Sequence, residues 1–361
     1  MNRRRFIKWS GLGLVASVFG GLAFANTGRG NHYYSGPPSD HFDGTVFFNP
    51  GGMPPGNFAS LMRWQLGGGK KIWPDTYPSP HSGTKPDTRV EGAALHVTLV
   101  GHATMLIQTA GLNLLTDPIW SKRASPVSFA GPTRVNEPGI AFDDLPPIDV
   151  VLVTHNHYDH LDAATLERLT DAHDPLVLTP LGNDTIIKDA APAMRVTPGD
   201  WGDSFEVGNG VTIHFEPCHH WSARGTRDRR MALWAAFVIE TPGGNIYHVG
   251  DTGFHEGRNY GAAAEKHGPF RLATLPVGAY EPRWFMKGQH QNPDEAVQGF
   301  KASKARYAAG HHWGTFKLTN EGIEDPLDAL AVALNDHDVD AGAFRALQPG
   351  ERWDVPAINN S

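Results

Sequence analysis

Between Thr154 and Asp162 the chain reads T-H-N-H-Y-D-H-L-D, so His155, His157, Asp159 and His160 fall within six positions. Imidazole nitrogen and carboxylate oxygen are natural ligands of zinc, and imidazole also suits iron and other borderline metals. In extended backbone, side chains two apart point the same way. His155 and His157 can therefore share one ion, while Asp159 and His160, further on, can face a second ion beside it. A lone histidine in a polar loop is usually solvated. Three with an acid in one short loop point to metal.

The elements around the cluster are those that hold side chains firmly. The apolar run Ile148–Val153, bounded by Pro146 and Pro147, predicts a short buried strand. The cluster then occupies the loop at that strand's C-terminal end, ahead of a helix over Ala163–Leu169. Upstream, Leu95–Val100, Thr104–Thr109 and Leu112–Leu115 predict a meander cut by Gly101 and Gly111. Its loops carry His102, which either faces the site or is a hydrogen-bonded structural histidine, and Asp117, which braces backbone or a ligand histidine. Downstream, strands at Leu176–Thr179 and Met194–Thr197 flank a helical Gly182–Ala190. A hairpin over Ser204–Glu216 turns at Gly208-Asn209-Gly210. It delivers His219 and His220. Strands at Leu233–Glu240 and Asn245–Val249 deliver Asp251, one at Leu272–Val277 leads to Tyr280, and one at Ala305–Ala309 ends at His311 and His312. Helices are predicted from near Pro293, with Asp294 and Glu295 favouring its first turn, and over Pro326–Asn335. Polar clusters thus recur at strand ends, as in a metal site built by an α/β scaffold.

At 361 residues with 40% hydrophobic side chains, the chain can bury a sizeable core. The single Cys218 excludes an intramolecular disulfide. Net charge is −7; residues 1–25 carry Arg3, Arg4, Arg5 and Lys8 and no acid, so losing those four cations takes −7 to −11. No nucleic-acid partner is expected of so acidic a chain.

Residues 1–25 read as an address. A basic start, an apolar run over Gly11–Leu22 and the A-x-A pattern Ala23-Phe24-Ala25 form a signal peptide. Arg3-Arg4-Arg5-Phe6-Ile7-Lys8 resembles the twin-arginine pattern. The expected location is the periplasm or cell envelope, with an uncleaved anchor helix as the alternative. Residues 26–92 are polar, rich in Gly and Pro, and read as an irregular extension whose aromatics pack on a catalytic domain over 93–361; an acyl or membrane contact is the other reading of those aromatics.

Taken together, these stretches resemble the metallo-β-lactamase superfamily, and within it N-acylphosphatidylethanolamine-hydrolysing phospholipase D and its bacterial relatives. The resemblance rests on Leu99-Val-Gly-His-Ala-Thr104, Leu115-Thr-Asp-Pro-Ile119, His155–Asp162, His220-Trp221, Gly250-Asp-Thr-Gly253, Glu281-Pro-Arg-Trp-Phe-Met286, Gln289-His290 and His312-Trp-Gly-Thr-Phe316. It implies an α+β fold, a four-layer αβ/βα sandwich. It implies two zinc ions, with iron or manganese as alternatives. His155, His157 and His220 would hold the first; Asp159, His160 and His312 the second; Asp251 would bridge them. His219 and His311 would be bystanders. True β-lactamases of this fold place a Cys in the second site, whereas Cys218 adjoins a first-site ligand here.

The implied activity is a phosphodiesterase of phospholipase D type acting on N-acylphosphatidylethanolamine-like or related phosphodiesters. A hydroxide held between the metals would be the nucleophile. Asp159 and Asp251 would serve catalysis as well as binding, and His290 is the candidate proton donor. Tyr280, Trp284 and Gln289 are candidates to line a pocket for a small-molecule or phospholipid substrate, with a membrane surface as a further contact. The alternatives are a lactonase or other ester or amide hydrolase on the same metals, and a non-catalytic metal-binding envelope protein.

Overall fold

Leu114 and Leu115 are neighbours in one strand and both fully buried, yet they belong to different cores. Side chains alternate across a strand, so a strand apolar on both faces must be covered on both. The computed structural model describes residues 30–358. The signal peptide expected over 1–25 lies outside the described residues.

Helix α1 (Phe58–Leu66) precedes the meander β1 (Leu95–Gly101), β2 (Thr104–Thr109) and β3 (Leu112–Thr116). Then come β4 (Val150–Leu152), α2 (Ala163–His173), β5 (Leu176–Pro180), α3 (Asn183–Ala190) and β6 (Arg195–Gly199). The second half runs β7 (Ser204–Gly208), β8 (Val211–Glu216), β9 (Ala236–Glu240), β10 (Ile246–His248), α4 (Arg258–His267) and β11 (Leu272–Pro276). It closes with α5 (Arg283–Met286), α6 (Pro293–Ala302), β12 (Tyr307–His311), α7 (Asp325–Asp336), β13 (Phe344–Ala346) and β14 (Arg352–Asp354).

The strands form two mixed seven-stranded sheets, ordered β14-β1-β2-β3-β4-β5-β6 and β13-β12-β11-β10-β9-β8-β7. Between them lies a core of Leu99, Met105, Leu114 and Leu152 against Phe215, Phe237, Ile246 and Leu272. On the outer face of the first sheet, Leu115, Val151, Val153 and Val177 pack against Leu166 and Leu169 of α2 and Ile187 of α3. On the second, Tyr247, Ala273 and Leu275 pack against Tyr260 of α4, Val297 and Phe300 of α6 and Leu330 of α7. Each large apolar side chain so buried contributes about 1.5–3 kcal/mol of transfer free energy. The result is the expected four-layer αβ/βα sandwich.

Local chemistry sets the helix starts. The Asn292 side chain accepts from the Glu295 amide, Glu295 reaches back to the Asn292 amide, and Pro293 stands in the first turn. Helix α2 begins at Ala163 as predicted but runs to His173, past the expected Leu169. The strand expected at Leu233–Glu240 starts only at Ala236, and the one expected at Ala305–Ala309 sits two residues later. Helices α1 and α4 and strands β13 and β14 were not expected. The extension over 30–92 is more than an aromatic anchor: the Asn49 side chain donates to the His220 carbonyl (2.8 Å) and accepts from Trp234 Nε1 (3.0 Å).

Candidate metal centre and active site

Every cluster picked out at a strand end converges on one place between the two sheets. The loop after β4 brings His155, His157, Asp159 and His160; the loops after β8 and β10 bring His220 and Asp251; β12 brings His312. Gly250 makes the last turn before Asp251 with φ 64°, and a β-carbon there would stand 2.7 Å from the Thr154 side chain. Only glycine fits that approach. His312 itself adopts the left-handed conformation, at φ 65°.

Two ligand sets stand side by side. In the first, His155 Nε2 lies 2.9 Å and His220 Nε2 3.2 Å from His157 Nδ1. In the second, Asp159 Oδ2 lies 3.3 Å from His312 Nε2 and 3.6 Å from His160 Nε2. Asp251 stands between them. Its Oδ1 is 3.2 Å from His312 Nε2, while its Oδ2 is 3.2 Å from His160 Nε2 and 3.7 Å from His220 Nε2. Ligands at the corners of a tetrahedron with metal bonds of about 2.0–2.1 Å stand about 3.3 Å apart.

The residues fit metal on a second count. Asp251 Oδ1, His160 Nε2 and His312 Nε2 are buried yet have no hydrogen-bond partner, although they lie close together. Buried polar atoms left unpaired are rare, and atoms aimed at a common point rather than at one another are what an ion requires. Outer hydrogen bonds fix the rings for this task. His160 Nδ1 donates to Asp117 Oδ2 (2.7 Å) and His220 Nδ1 to the Gln289 carbonyl (2.9 Å). Thr154 Oγ1 donates to Asp117 (2.7 Å), which leaves it to accept from His155 Nδ1 (3.0 Å). In all three rings Nδ1 is held by an outer partner and Nε2 is the nitrogen turned toward the centre.

The electrostatics agree. Burial holds His155 and His220 well below 6.5 and His157 at about 4, so these rings are neutral and ready to ligate. Burial disfavours charge on Asp251, but the His312 and His160 rings outweigh it and hold the carboxyl well below its usual range. For His312, burial is overcome by the Asp251 and Asp159 carboxylates beside it, which lift the ring to about 9.

Of the doublets, His220 and His312 enter the centre. His219 instead lies against His255 (4.3 Å between ring centroids), and His311 stacks on His248 (5.6 Å). His290 reaches the centre, its Nδ1 3.8 Å from Asp251 Oδ2, with the ring held at about 4 by burial. Gln289 acts there through its carbonyl, while its side-chain amide donates to the Met53 carbonyl (3.2 Å). Trp284 is half exposed beneath the Arg63 guanidinium. Tyr280 lines a cleft of about 700 Å³ walled by Glu281, Asp294, Asp325 and Asp328, and none of the clustered histidines lines it. Cys218 is buried, its thiol pushed up by burial.

Sequence reasoning passed over Arg224. Its guanidinium donates to the carbonyls of Asn156 (3.2 Å) and Leu161 (2.7 Å) and lies 3.7 Å from the centre of the Tyr158 ring, clamping both ends of the histidine loop. Only its place four residues after His220 could have drawn notice.

Comparison with known proteins agrees with this geometry. The family model for the beta-lactamase superfamily domain matches residues 112–313. The chain is 40% identical over 296 residues to N-acyl-phosphatidylethanolamine-hydrolyzing phospholipase D 1 of Caenorhabditis elegans, covering 79% of this chain and 82% of the relative. It is 29% identical over 232 residues to a metal-dependent hydrolase of Pyrobaculum neutrophilum, covering 64% of this chain and 89% of that one. In fold it is similar to the metallo hydrolase Igni18 of Ignicoccus hospitalis, with a TM-score of 0.53 at 19% identity, over 72% of this chain and 97% of the other. The chain belongs to the metallo-β-lactamase superfamily and is a metal-dependent hydrolase within it, related to N-acylphosphatidylethanolamine-hydrolysing phospholipase D.

Proposed function

We propose that the chain is a two-zinc phosphodiesterase of phospholipase D type, acting on N-acylphosphatidylethanolamine or a related phosphodiester. The observation that carries this is Asp251, whose two oxygens face histidines of both ligand sets. His155, His157 and His220 would hold the first ion and Asp159, His160 and His312 the second, with Asp251 placed to serve both. When bound, such a pair activates water at neutral pH and takes up negative charge on the substrate's oxygens.

The chain's own groups do the rest. His290 Nδ1 faces Asp251, and its ring, neutral at pH 7, takes the proton released by the attacking water and passes it to the leaving alkoxide. A lipid substrate is supported by the exposed apolar side chains of the N-terminal extension. Met53, whose carbonyl accepts from Gln289, is 60% exposed, Leu66 of α1 80% and Ile72 93%. Arg63 and Lys70 flank them, which suits a phospholipid surface. We further propose that residues 1–25 export the chain to the periplasm or cell envelope; cell fractionation of the intact and truncated chains checks this.

The purified protein is assayed with bis(p-nitrophenyl) phosphate, N-acylphosphatidylethanolamine and acyl lactones, alongside metal analysis. Turnover of the phosphodiesters, lost in Asp251→Ala with the fold intact, is the expected outcome. Turnover of lactones alone moves the chain to the ester hydrolases, and no metal-dependent turnover of any of the three sinks the reading.

A further inference from the structure

One histidine at the centre has no place in either ligand set. His102 sits in the turn between β1 and β2, 1% exposed, with its ring 4.0 Å from that of His312. Its Nε2 stands 2.9 Å from Asp159 Oδ2, the shortest contact that oxygen makes with any of the three histidines around it. Its ligand atom also lies within 4.8 Å of those of Asp159, His160 and His312. On distance alone it would pass for a fourth ligand.

The hydrogen bonding argues otherwise. A carboxylate only accepts, so the 2.9 Å contact commits the proton of His102 to Nε2. That nitrogen is the one turned toward the acids, and a protonated nitrogen cannot coordinate. The other nitrogen, Nδ1, is buried without a partner.

The backbone here is also unusual. His102 has φ 55°, a left-handed conformation disfavoured for a residue with a side chain. It is held there from both sides: its amide donates to Thr315 Oγ1 (3.0 Å) and its carbonyl accepts from the His312 amide (2.8 Å). Strain kept at a defined place commonly marks a functional need. These bonds tie the ring that holds Asp159 to the backbone of His312, so two groups of one ligand set are placed relative to each other by a residue of β1–β2.

We propose that His102 is a positioning residue for the second metal site: its Nε2–H orients the Asp159 carboxylate toward the ion that Asp159, His160 and His312 hold. This rests on the two-ion reading above. Loss of such an outer hydrogen bond typically lowers metal affinity about 10–100-fold. The first ion, held by His155, His157 and His220, does not depend on it.

The test is a zinc titration against a chromophoric chelator, on wild type, His102→Leu and His102→Gln, with the melting temperature of each metal-free chain as a check on folding. His102→Leu removes the donor; His102→Gln keeps an N–H on a side chain of similar reach. The expected result is two ions per wild-type chain, the weaker bound about 10–100-fold less tightly in His102→Leu, the tighter unchanged, and partial recovery in His102→Gln. If His102→Leu fails to fold, His102→Gln with cobalt in place of zinc decides: a cobalt spectrum with unaltered coordination and a weakened second site supports positioning. A lost ligand in that spectrum, or two ions held as tightly as in wild type, overturns the proposal alone. A wild-type chain that takes up one ion overturns the two-ion reading and this proposal with it.

Discussion

Asp117 and His160 are joined by a 2.7 Å hydrogen bond between two side chains that solvent does not reach. The same carboxylate accepts from the Thr154 amide and hydroxyl, both at 2.7 Å. One acid at the end of β3 therefore fixes the backbone entering the histidine loop, the ring of His160 and, through Thr154, that of His155. Asp117→Ala should lower metal affinity about 10–100-fold. Competition with a chelator measures this, and unchanged affinity would show that the bond does not orient His160.

Metal uptake should release protons. In the metal-free chain His312 keeps its proton up to about pH 9, because Asp251 and Asp159 outweigh its burial. An ion must displace that proton, so below pH 9 apparent affinity falls as pH is lowered, by about tenfold per unit for each proton released. Calorimetry in two buffers of different ionisation enthalpy counts the protons.

His290 touches the centre without belonging to either set of proposed ligands. His290→Gln should reduce kcat by about 10²–10⁴-fold while leaving metal content unchanged. Loss of an ion instead would make His290 a ligand.

Metal-free protein should weaken in acid. Burial holds His248 and His219 at about 4, against 6.5 when unfolded. The unfolded chain then binds more protons at these two rings between those values, so their contribution to stability is full above pH 6.5 and is lost as pH drops toward 4. Melting temperatures across that range test the sign; a rise on acidification contradicts it.

Asn49 links the extension to the centre. Asn49→Ala strips the His220 carbonyl of a donor and Trp234 Nε1 of one of its two acceptors, the other being the Cys218 carbonyl at 3.1 Å. An unmet buried group costs about 1–3 kcal/mol. Thermal denaturation of the loaded protein should show that loss.

What was readable in the sequence is instructive. The H-x-H-x-D-H loop follows an apolar run bounded by prolines, so its position could be read locally. His220 and His312 were separated from His219 and His311 only by the motifs around them; in the structure, each bystander packs against another histidine. Asp117 was expected to brace backbone or a ligand histidine from its place at a strand end, and it does both; the partnerships of Arg224 and Asn49 were hidden because each spans dozens of residues or more, and no local pattern encodes such contacts. Helix α4, R-N-Y-G-A-A-A-E-K-H, buries only Tyr260, Ala263 and Ala264, too small an apolar face to signal a helix. Strands β13 and β14, three residues each, exist only because β12 and β1 give them an edge to join.

The two sheets each supply part of the centre: the loop after β4 comes from one, Asp251 and His312 from the other. A slip of one layer over its neighbour by a fraction of an ångström would therefore spoil the chelate long before either layer melted. Trimming Phe237 or Leu272, deep in the inter-sheet core, would register as weakened metal retention in a chain whose strands are all still paired.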